Sequence, residues 1–180
     1  MKPMLVLAAL CLPGVALAAC PEPPDHSDRL AQLFNQAQAA PDARSGQLVS
    51  NRMWALWAEA PDDHAQQLLN TGMQMRAGFA LADAVEVFDE LVAYCPDYAE
   101  GYNQRAFANF IRGDYAAALA DLERTLELSP THVAAKAGLA LTHMGLGDMD
   151  RAQRLLREAL ALNPWLPERR MLTEPADQQL

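Results

Sequence analysis

Apolar and polar positions alternate along residues 65–164 with the spacing of amphipathic helices, and the pattern returns with a period of about 34 residues. In the stretch 115–128, for example, Leu119, Leu122 and Leu126 fall on one helical face. Four columns of residues keep the same interval over three units. The columns are Gly72, Ala106 and Ala140; Ala84, Ala118 and Ala152; Phe88, Leu122 and Leu156; and Pro96, Pro130 and Pro164. A period of this length predicts a stack of similar helical units.

Each column suits one position in a helix–turn–helix unit. Two helices approach closely only where their side chains are small, and the Gly/Ala columns provide one such point on each helix. The column that begins at Phe88 follows the second small residue by four positions, so it lies on the same face. Gly113-Asp114 and Gly147-Asp148 predict tight turns between helices, and each proline ends a second helix. The chain is therefore predicted to be all-α.

Three successive segments resemble the tetratricopeptide repeat (TPR) family: residues 65–98, 99–132 and 133–166. The middle unit matches best, because it has Tyr102, the turn Gly113-Asp114-Tyr115 and Pro130 in the family's places. The first unit departs from the pattern at its turn, where it has AGFALADA. The resemblance implies a right-handed helical-hairpin solenoid of three TPR units. A looser likeness connects the chain with small exported bacterial TPR proteins that begin Cys-Pro.

A further pair of helices is predicted before the repeats, over residues 27–61. Its two apolar faces consist of Leu30, Leu33, Phe34 and Ala37 and of Val49, Met53, Leu56 and Trp57. Ser50 and Trp54 lie one repeat interval before Ala84 and Phe88, so we interpret this hairpin as a cap derived from a degenerate fourth unit. Residues 20–26 are predicted to be extended, and residues 167–180 to form a C-terminal cap and tail.

Residues 1–19 have the features of a secretory signal peptide: a positive start, an apolar run over residues 4–12 and small residues before Cys20. We therefore expect an exported, periplasmic protein. Cys20 has two alternative fates. It can pair with Cys95 in a disulfide, or Leu17-Ala18-Ala19-Cys20 can act as a lipobox, which it resembles. Attachment to a membrane is expected only if Cys20 is lipidated, in which case the protein would be an envelope assembly or structural lipoprotein.

The charge of the chain and the motifs it lacks disfavour several classes of function. There are 14 Lys and Arg residues against 23 Asp and Glu, a formal net charge of −9, which disfavours nucleic acid as a partner. The four histidines are not spaced as metal ligands, and the sequence has neither a nucleophile motif nor a phosphate-binding loop. No metal, no cofactor and no enzymatic activity are predicted.

The TPR resemblance implies that the first helix of each unit lines a concave groove. The side chains that it places there are Leu69, Met73, Arg76, Asn103, Gln104, Phe107, Phe110, Ala137, Leu141 and Met144. Family members that clamp a C-terminal carboxylate use Lys and Asn side chains, whereas Leu69, Met73 and Phe107 occupy such places here. The expected partner is therefore a protein or peptide with an apolar or amphipathic segment. The identity of this partner and the oligomeric state are not predicted.

Overall fold

The structure, a computed structural model, describes residues 20–173, and all the regular secondary structure within them is helical. The helices are α1 (Ser27–Ala39), α2 (Ala43–Trp57), α3 (Asp63–Ala77), α4 (Leu81–Tyr94), α5 (Ala99–Ile111), α6 (Tyr115–Leu128), α7 (Val133–Gly145) and α8 (Met149–Leu162), followed by a 3₁₀-helix, Pro167–Met171. The predicted signal peptide and lipobox residues before Cys20, and the tail after residue 173, lie outside the described residues.

Helices α3 to α8 form three successive hairpins, as the repeat period predicts. The small residues are buried where the two helices of a unit meet; Ala84, Ala106 and Ala118 are inaccessible to solvent. At Gly72 an added Cβ would lie only 2.5 Å from Cε1 of Phe88, so the aromatic ring needs a glycine opposite it. Pro96 and Pro130 follow the ends of α4 and α6 by two residues. The prediction of an all-α helical-hairpin solenoid is confirmed.

The turns inside the units show why the glycines are needed. Gly113 and Gly147 have φ values of 78° and 82°, in the left-handed region that favours glycine. Asp114 and Asp148 then cap the next helix by accepting hydrogen bonds from backbone N–H groups. In the first unit Phe79 takes the equivalent left-handed place, with φ of 60°.

The N-terminal hairpin, α1 with α2, packs against the third unit and does not stack as a further repeat in front of α3. Its apolar faces join a core with residues of the third unit. This core consists of Leu30, Leu33, Phe34, Ala37, Val49, Met53, Leu56 and Trp57 from the hairpin and Val133, Ala137, Ala159 and Leu166 from the third unit. Within residues 20–173 the hairpin, and not another repeat, covers the apolar surface of the third unit, which would otherwise be exposed.

Hydrogen bonds between distant parts of the chain fix the hairpin in this place. Trp165 Nε1 donates to the carbonyl oxygen of Ala37 at 2.8 Å, and Asn163 Nδ2 donates to Ser50 Oγ at 2.8 Å. Gln38 Nε2 donates to the carbonyl oxygen of Ala161 at 3.0 Å. The beginning of the described chain is thus held against its end.

The end of α2 and the residues before α1 are held at the junction between the first two units. The Tyr98 hydroxyl donates to the carbonyl oxygen of Trp57 at 2.9 Å. Before α1, Cys20 forms a disulfide with Cys95, and their Cα atoms are 5.1 Å apart. The hairpin therefore extends across the array from Cys95, at the end of α4, to the residues that follow α8.

The residues after α8 have two sets of contacts. Trp165 packs against the hairpin at Gly46. The 3₁₀-helix lies on α8 instead, because Gln153 Nε2 donates to the carbonyl oxygen of Met171 and Gln153 Oε1 accepts from Thr173 N. None of the helices in residues 20–173 has the length and hydropathy needed to span a membrane.

Candidate functional site

A cavity of about 420 Å³ lies between α2 and the first helices of the repeats. The wall from the hairpin is formed by Gln47, Ser50, Asn51, Met53, Trp54 and Trp57. The opposite wall comes mainly from α5 and α7, with Arg76 from α3, and Leu166, Pro167 and Glu168 close one end. This volume falls in the range of about 300–1,000 Å³ that is typical of ligand pockets.

Most of the predicted groove residues meet in this cavity. The structure places Arg76, Asn103, Gln104, Phe107, Phe110, Ala137 and Leu141 along its walls. Leu69 is not accessible: it is completely buried in a core with Phe88 and Leu91, so its assignment to the groove is wrong. Met73 packs partly buried against the same core, and neither it nor Met144 lines the cavity. Because α2 faces α5 and α7, the first unit contributes little to the wall.

The residues that the sequence did not predict come from α2 and from the segment after α8. Trp54 fits a repeat column in the sequence, yet it lines the cavity and 42% of its surface is exposed. The sequence indicates that α2 has an apolar face, but only the fold reveals that this face lies opposite α5 and α7. The amphipathic pattern of α2, with a second tryptophan shortly before Trp57, was the available signal.

Two partly exposed aromatic side chains, Trp54 and Phe107, line the cavity. Phe107 on α5 is 45% exposed although it lies in the middle of the repeats. The guanidinium carbon of Arg76 lies 4.2 Å from the centroid of the Phe107 ring, a distance typical of a cation–π contact. An aromatic group that is partly exposed in a concave site offers apolar area to a ligand at little cost in side-chain entropy.

A buried polar network supports this side of the cavity. Glu100 is only 1% exposed, and its carboxylate accepts hydrogen bonds from Gln104 Nε2 and, at 3.1 Å, from Asn103 Nδ2. His132 Nδ1 accepts from Ala135 N, so His132 Nε2 is the nitrogen that donates to Glu100, at 2.8 Å.

The same network joins the hairpin to the repeats. The Trp57 ring stacks on His132 with centroids 4.2 Å apart. His132 is fully buried, and its hydrogen bond to Glu100 links α7 to α5. Trp57 on α2 is therefore held against the same pair of repeat helices that form most of the opposite wall.

Several polar atoms around the cavity have no partner within residues 20–173. They are Arg76 Nε, Trp57 Nε1, Gln104 Oε1 and Glu168 Oε2, all of them buried. Burial lowers the pKa of Arg76, and the negative charge of Glu100 acts in the opposite direction. Nowhere in residues 20–173 do three His, Cys, Asp or Glu side chains come together as metal ligands. The site is therefore an apolar cavity with a few polar groups, the usual composition of a binding site.

Comparison with known proteins is consistent with this architecture. The profile of the family described as "Tetratricopeptide repeat" matches residues 110–172. A TPR repeat-containing protein of Rhizobium etli is 31% identical over 155 residues, which cover 83% of this chain and 68% of the relative. The chain belongs to the tetratricopeptide repeat family. This TPR protein is also similar to tetratricopeptide repeat protein 36 of Mus musculus, at 31% identity over 126 residues that cover 61% of the chain and 68% of the relative.

Several solved structures share the fold of this TPR protein. The TPR domain of Arabidopsis OM64 superposes with a TM-score of 0.58 at 20% identity, covering 59% of this chain and 88% of that one. MamA superposes with a TM-score of 0.54 at 23% identity, covering 76% and 72%. The first TPR of Spaghetti, bound to an HSP90 peptide, gives a TM-score of 0.56 at 19% identity and covers 58% and 82%.

Proposed function

We propose that this TPR protein is a non-enzymatic scaffold that binds an apolar or amphipathic segment of a partner protein in the cavity between α2 and the repeats. One observation carries the proposal: Trp54 and Phe107 line the same cavity, and each exposes more than two fifths of its surface. Large aromatic side chains in a concave site are typical anchors for a ligand.

The relatives support a peptide as the ligand. The first TPR of Spaghetti binds an HSP90 peptide, and it shares the fold of this chain. Here, however, Leu69 is buried and Phe107 offers an aromatic face where a clamp for a C-terminal carboxylate would need polar groups. A cavity of about 420 Å³ holds a few side chains, so the partner would insert its apolar anchors while its backbone follows the rim.

A peptide display experiment tests the function. Random peptides of about 12 residues with blocked C-termini, long enough to cross the cavity when extended, are selected on the wild-type chain, on Phe107→Glu and on Phe79→Glu. We expect aromatic and aliphatic anchors to be enriched on the wild type. Phe107→Glu introduces a charge into the apolar wall, so the selected peptides should bind it at least about tenfold more weakly.

Phe79→Glu is the matched control, because Phe79 is 77% exposed and does not line the cavity. It should bind the selected peptides as the wild type does. Two results would reject the proposal: selected peptides that bind Phe107→Glu unchanged, or a selection in which no blocked peptide binds while a parallel set with free C-termini binds whatever the rest of its sequence.

We also propose that the protein acts in the periplasm as a soluble, oxidised chain. The Cys20–Cys95 disulfide supports this location, since such bonds persist in oxidising compartments. It also uses the sulfur atom that a lipid anchor would occupy, so disulfide and lipidation exclude each other at Cys20. Mass spectrometry of the mature N-terminus decides between the two alternatives: an acylated Cys20 would overturn the soluble form and support the envelope lipoprotein.

A further inference from the structure

Two side chains of opposite charge line the cavity, and they come from different ends of the array. Arg76 comes from α3 in the first unit, and Glu168 comes from the 3₁₀-helix after the third unit. We propose, on the basis of the proposed function, that the partner segment is dipolar: an acidic residue pairs with Arg76, a basic residue pairs with Glu168, and apolar anchors lie between them.

The surroundings of Arg76 favour the binding of an anionic group of the ligand. Its side chain is partly buried and its guanidinium lies against the Phe107 ring, while its Nε is buried without a partner in the described chain. The negative charge of Glu100 acts on Arg76, but its carboxylate accepts hydrogen bonds from Asn103, Gln104 and His132, and the described residues show no hydrogen bond or ion pair between it and Arg76. A carboxylate on the ligand can accept two parallel hydrogen bonds from a guanidinium, which is the geometry that arginine favours.

Glu168 provides the complementary charge at the other side. Its Oε2 is buried, and within residues 20–173 it has no hydrogen-bond partner. The neighbouring Arg169 forms no ion pair with Glu168 in the described chain; the Arg169 guanidinium carbon lies over the Trp165 ring, 5.3 Å from the centroid. A lysine or arginine of the ligand would give Glu168 the cation that it lacks, in a site where partial burial weakens screening by salt.

Between the two charged groups the wall is largely apolar. Phe107 and Phe110 lie on α5 and Leu141 lies on α7. In the array α3 packs against α5 and α5 against α7, while the 3₁₀-helix lies on α8, the partner of α7. A segment that crosses this wall would place apolar side chains on it and its charged ends near Arg76 and Glu168. The charges would then fix the direction of the segment, since reversing it would bring like charges together.

The probes for this proposal are synthetic peptides of four types, all with acetylated and amidated ends. They share a core of phenylalanine and leucine and differ in the flanking residues: glutamate and lysine, two glutamates, two lysines, or two glutamines. The core length is varied from about three to about six residues, because an extended chain advances about 3.3 Å per residue. Fluorescence anisotropy measures each dissociation constant. The wild type should bind the glutamate/lysine peptide about tenfold more tightly than the glutamine peptide.

Charge reversal should change the preferred peptide. Arg76→Glu should favour the peptide with two lysines, and Glu168→Lys the peptide with two glutamates. The matched controls Arg154→Glu and Glu90→Lys reverse exposed charges that do not line the cavity, so they should keep the wild-type preference. If a reversed variant fails to fold, Arg76→Gln and Glu168→Gln serve instead, and each should abolish the preference at its own end of the peptide.

The outcomes separate this inference from the proposed function. If all four types of peptide bind the wild type equally and Phe107→Glu abolishes their binding, the function stands and the dipolar preference is overturned. The same holds if the peptides differ but the reversed variants keep the wild-type order. If none of the peptides binds at any core length, both proposals fail.

Discussion

Trp165 Nε1 donates a 2.8 Å hydrogen bond to the carbonyl oxygen of Ala37, which lies 128 residues earlier in the chain. The same indole ring lies so close to Gly46 that a Cβ atom at this position would overlap it. The glycine in the first turns of α2 and the tryptophan after α8 are therefore complementary. This pair joins the first helices of the described chain to the last repeat.

The effect of Gly46→Ala on the free energy of unfolding should depend on the residue at position 165, and its sign should reverse when Trp165 is replaced. In the wild type, the added methyl group clashes with Trp165, and we expect a loss of about 1–3 kcal/mol in the free energy of unfolding. In a Trp165→Gly background all three atoms that would lie within 2.6 Å of the new Cβ are removed, and alanine should stabilise α2 by about 1 kcal/mol relative to glycine. Urea denaturation of the four proteins gives the coupling energy, and additive effects would show that the two residues do not touch.

Phe79→Gly should stabilise the protein. Phe79 has φ of 60° and a side chain that is 77% exposed, so the substitution relieves an unfavourable backbone conformation and removes little packing. A gain of about 1 kcal/mol is expected. Phe79→Ala is the control, because alanine removes the same ring but keeps the cost of a left-handed residue. Thermal denaturation should place Phe79→Gly above Phe79→Ala, and equal melting temperatures would contradict this explanation.

Tyr98 should make the stability of the protein depend on pH in the alkaline range. Burial raises the pKa of the Tyr98 hydroxyl well above its ordinary value, and the charges of Glu100 and Glu59 act in the same direction. Above about pH 10 the unfolded chain loses this proton while the folded protein keeps it, so stability falls as the pH rises.

Tyr98→Phe tests this assignment. At pH 7 the variant should be about 1 kcal/mol less stable, because the hydrogen bond to the carbonyl oxygen of Trp57 is lost. The difference should shrink between about pH 10 and pH 12, since phenylalanine does not titrate. Urea denaturation at several pH values measures both effects. A difference that stays constant over this range would show that Tyr98 is not the group responsible.

The disulfide between Cys20 and Cys95 should stabilise the whole fold, because the two residues are 75 positions apart in sequence. Loop-closure entropy of this length corresponds to about 4 kcal/mol, and we expect reduction to cost about 2–4 kcal/mol. A Cys20→Ser, Cys95→Ser double variant should be destabilised to the same extent and should not respond to a reductant. Hydrogen exchange in α1 should increase in both cases. A wild type whose unfolding is unchanged by reductant would argue against the bond.

The repeats were predictable because their determinants are local. The small residues, the leucines and the prolines recur once in every unit, and each acts within one helical hairpin or between neighbours. The positive φ of Phe79 could have been inferred from the alignment of the first turn with Gly113. Local rules therefore account for α3 to α8.

The hairpin and part of the cavity were not predictable in this way. An apolar face such as that of Leu33 and Phe34 shows that α1 is buried, but it does not show which surface covers it. Its position depends on contacts with residues more than a hundred positions later, such as Trp165 with Ala37. The inclusion of Leu69 in the groove was wrong because its side chain packs inside the first unit, against Phe88 and Leu91.

The contact between the N-terminal hairpin and the residues after α8 also limits how this protein can evolve. An open solenoid gains or loses units at its end without disturbing the rest, because each unit contacts only its neighbours. Here a unit inserted after α8 would carry Trp165 away from Ala37 and leave both surfaces exposed. The contacts of the N-terminal hairpin therefore fix the number of repeats in the array. Duplication of a repeat would have to be accompanied by a new surface on which the hairpin could pack.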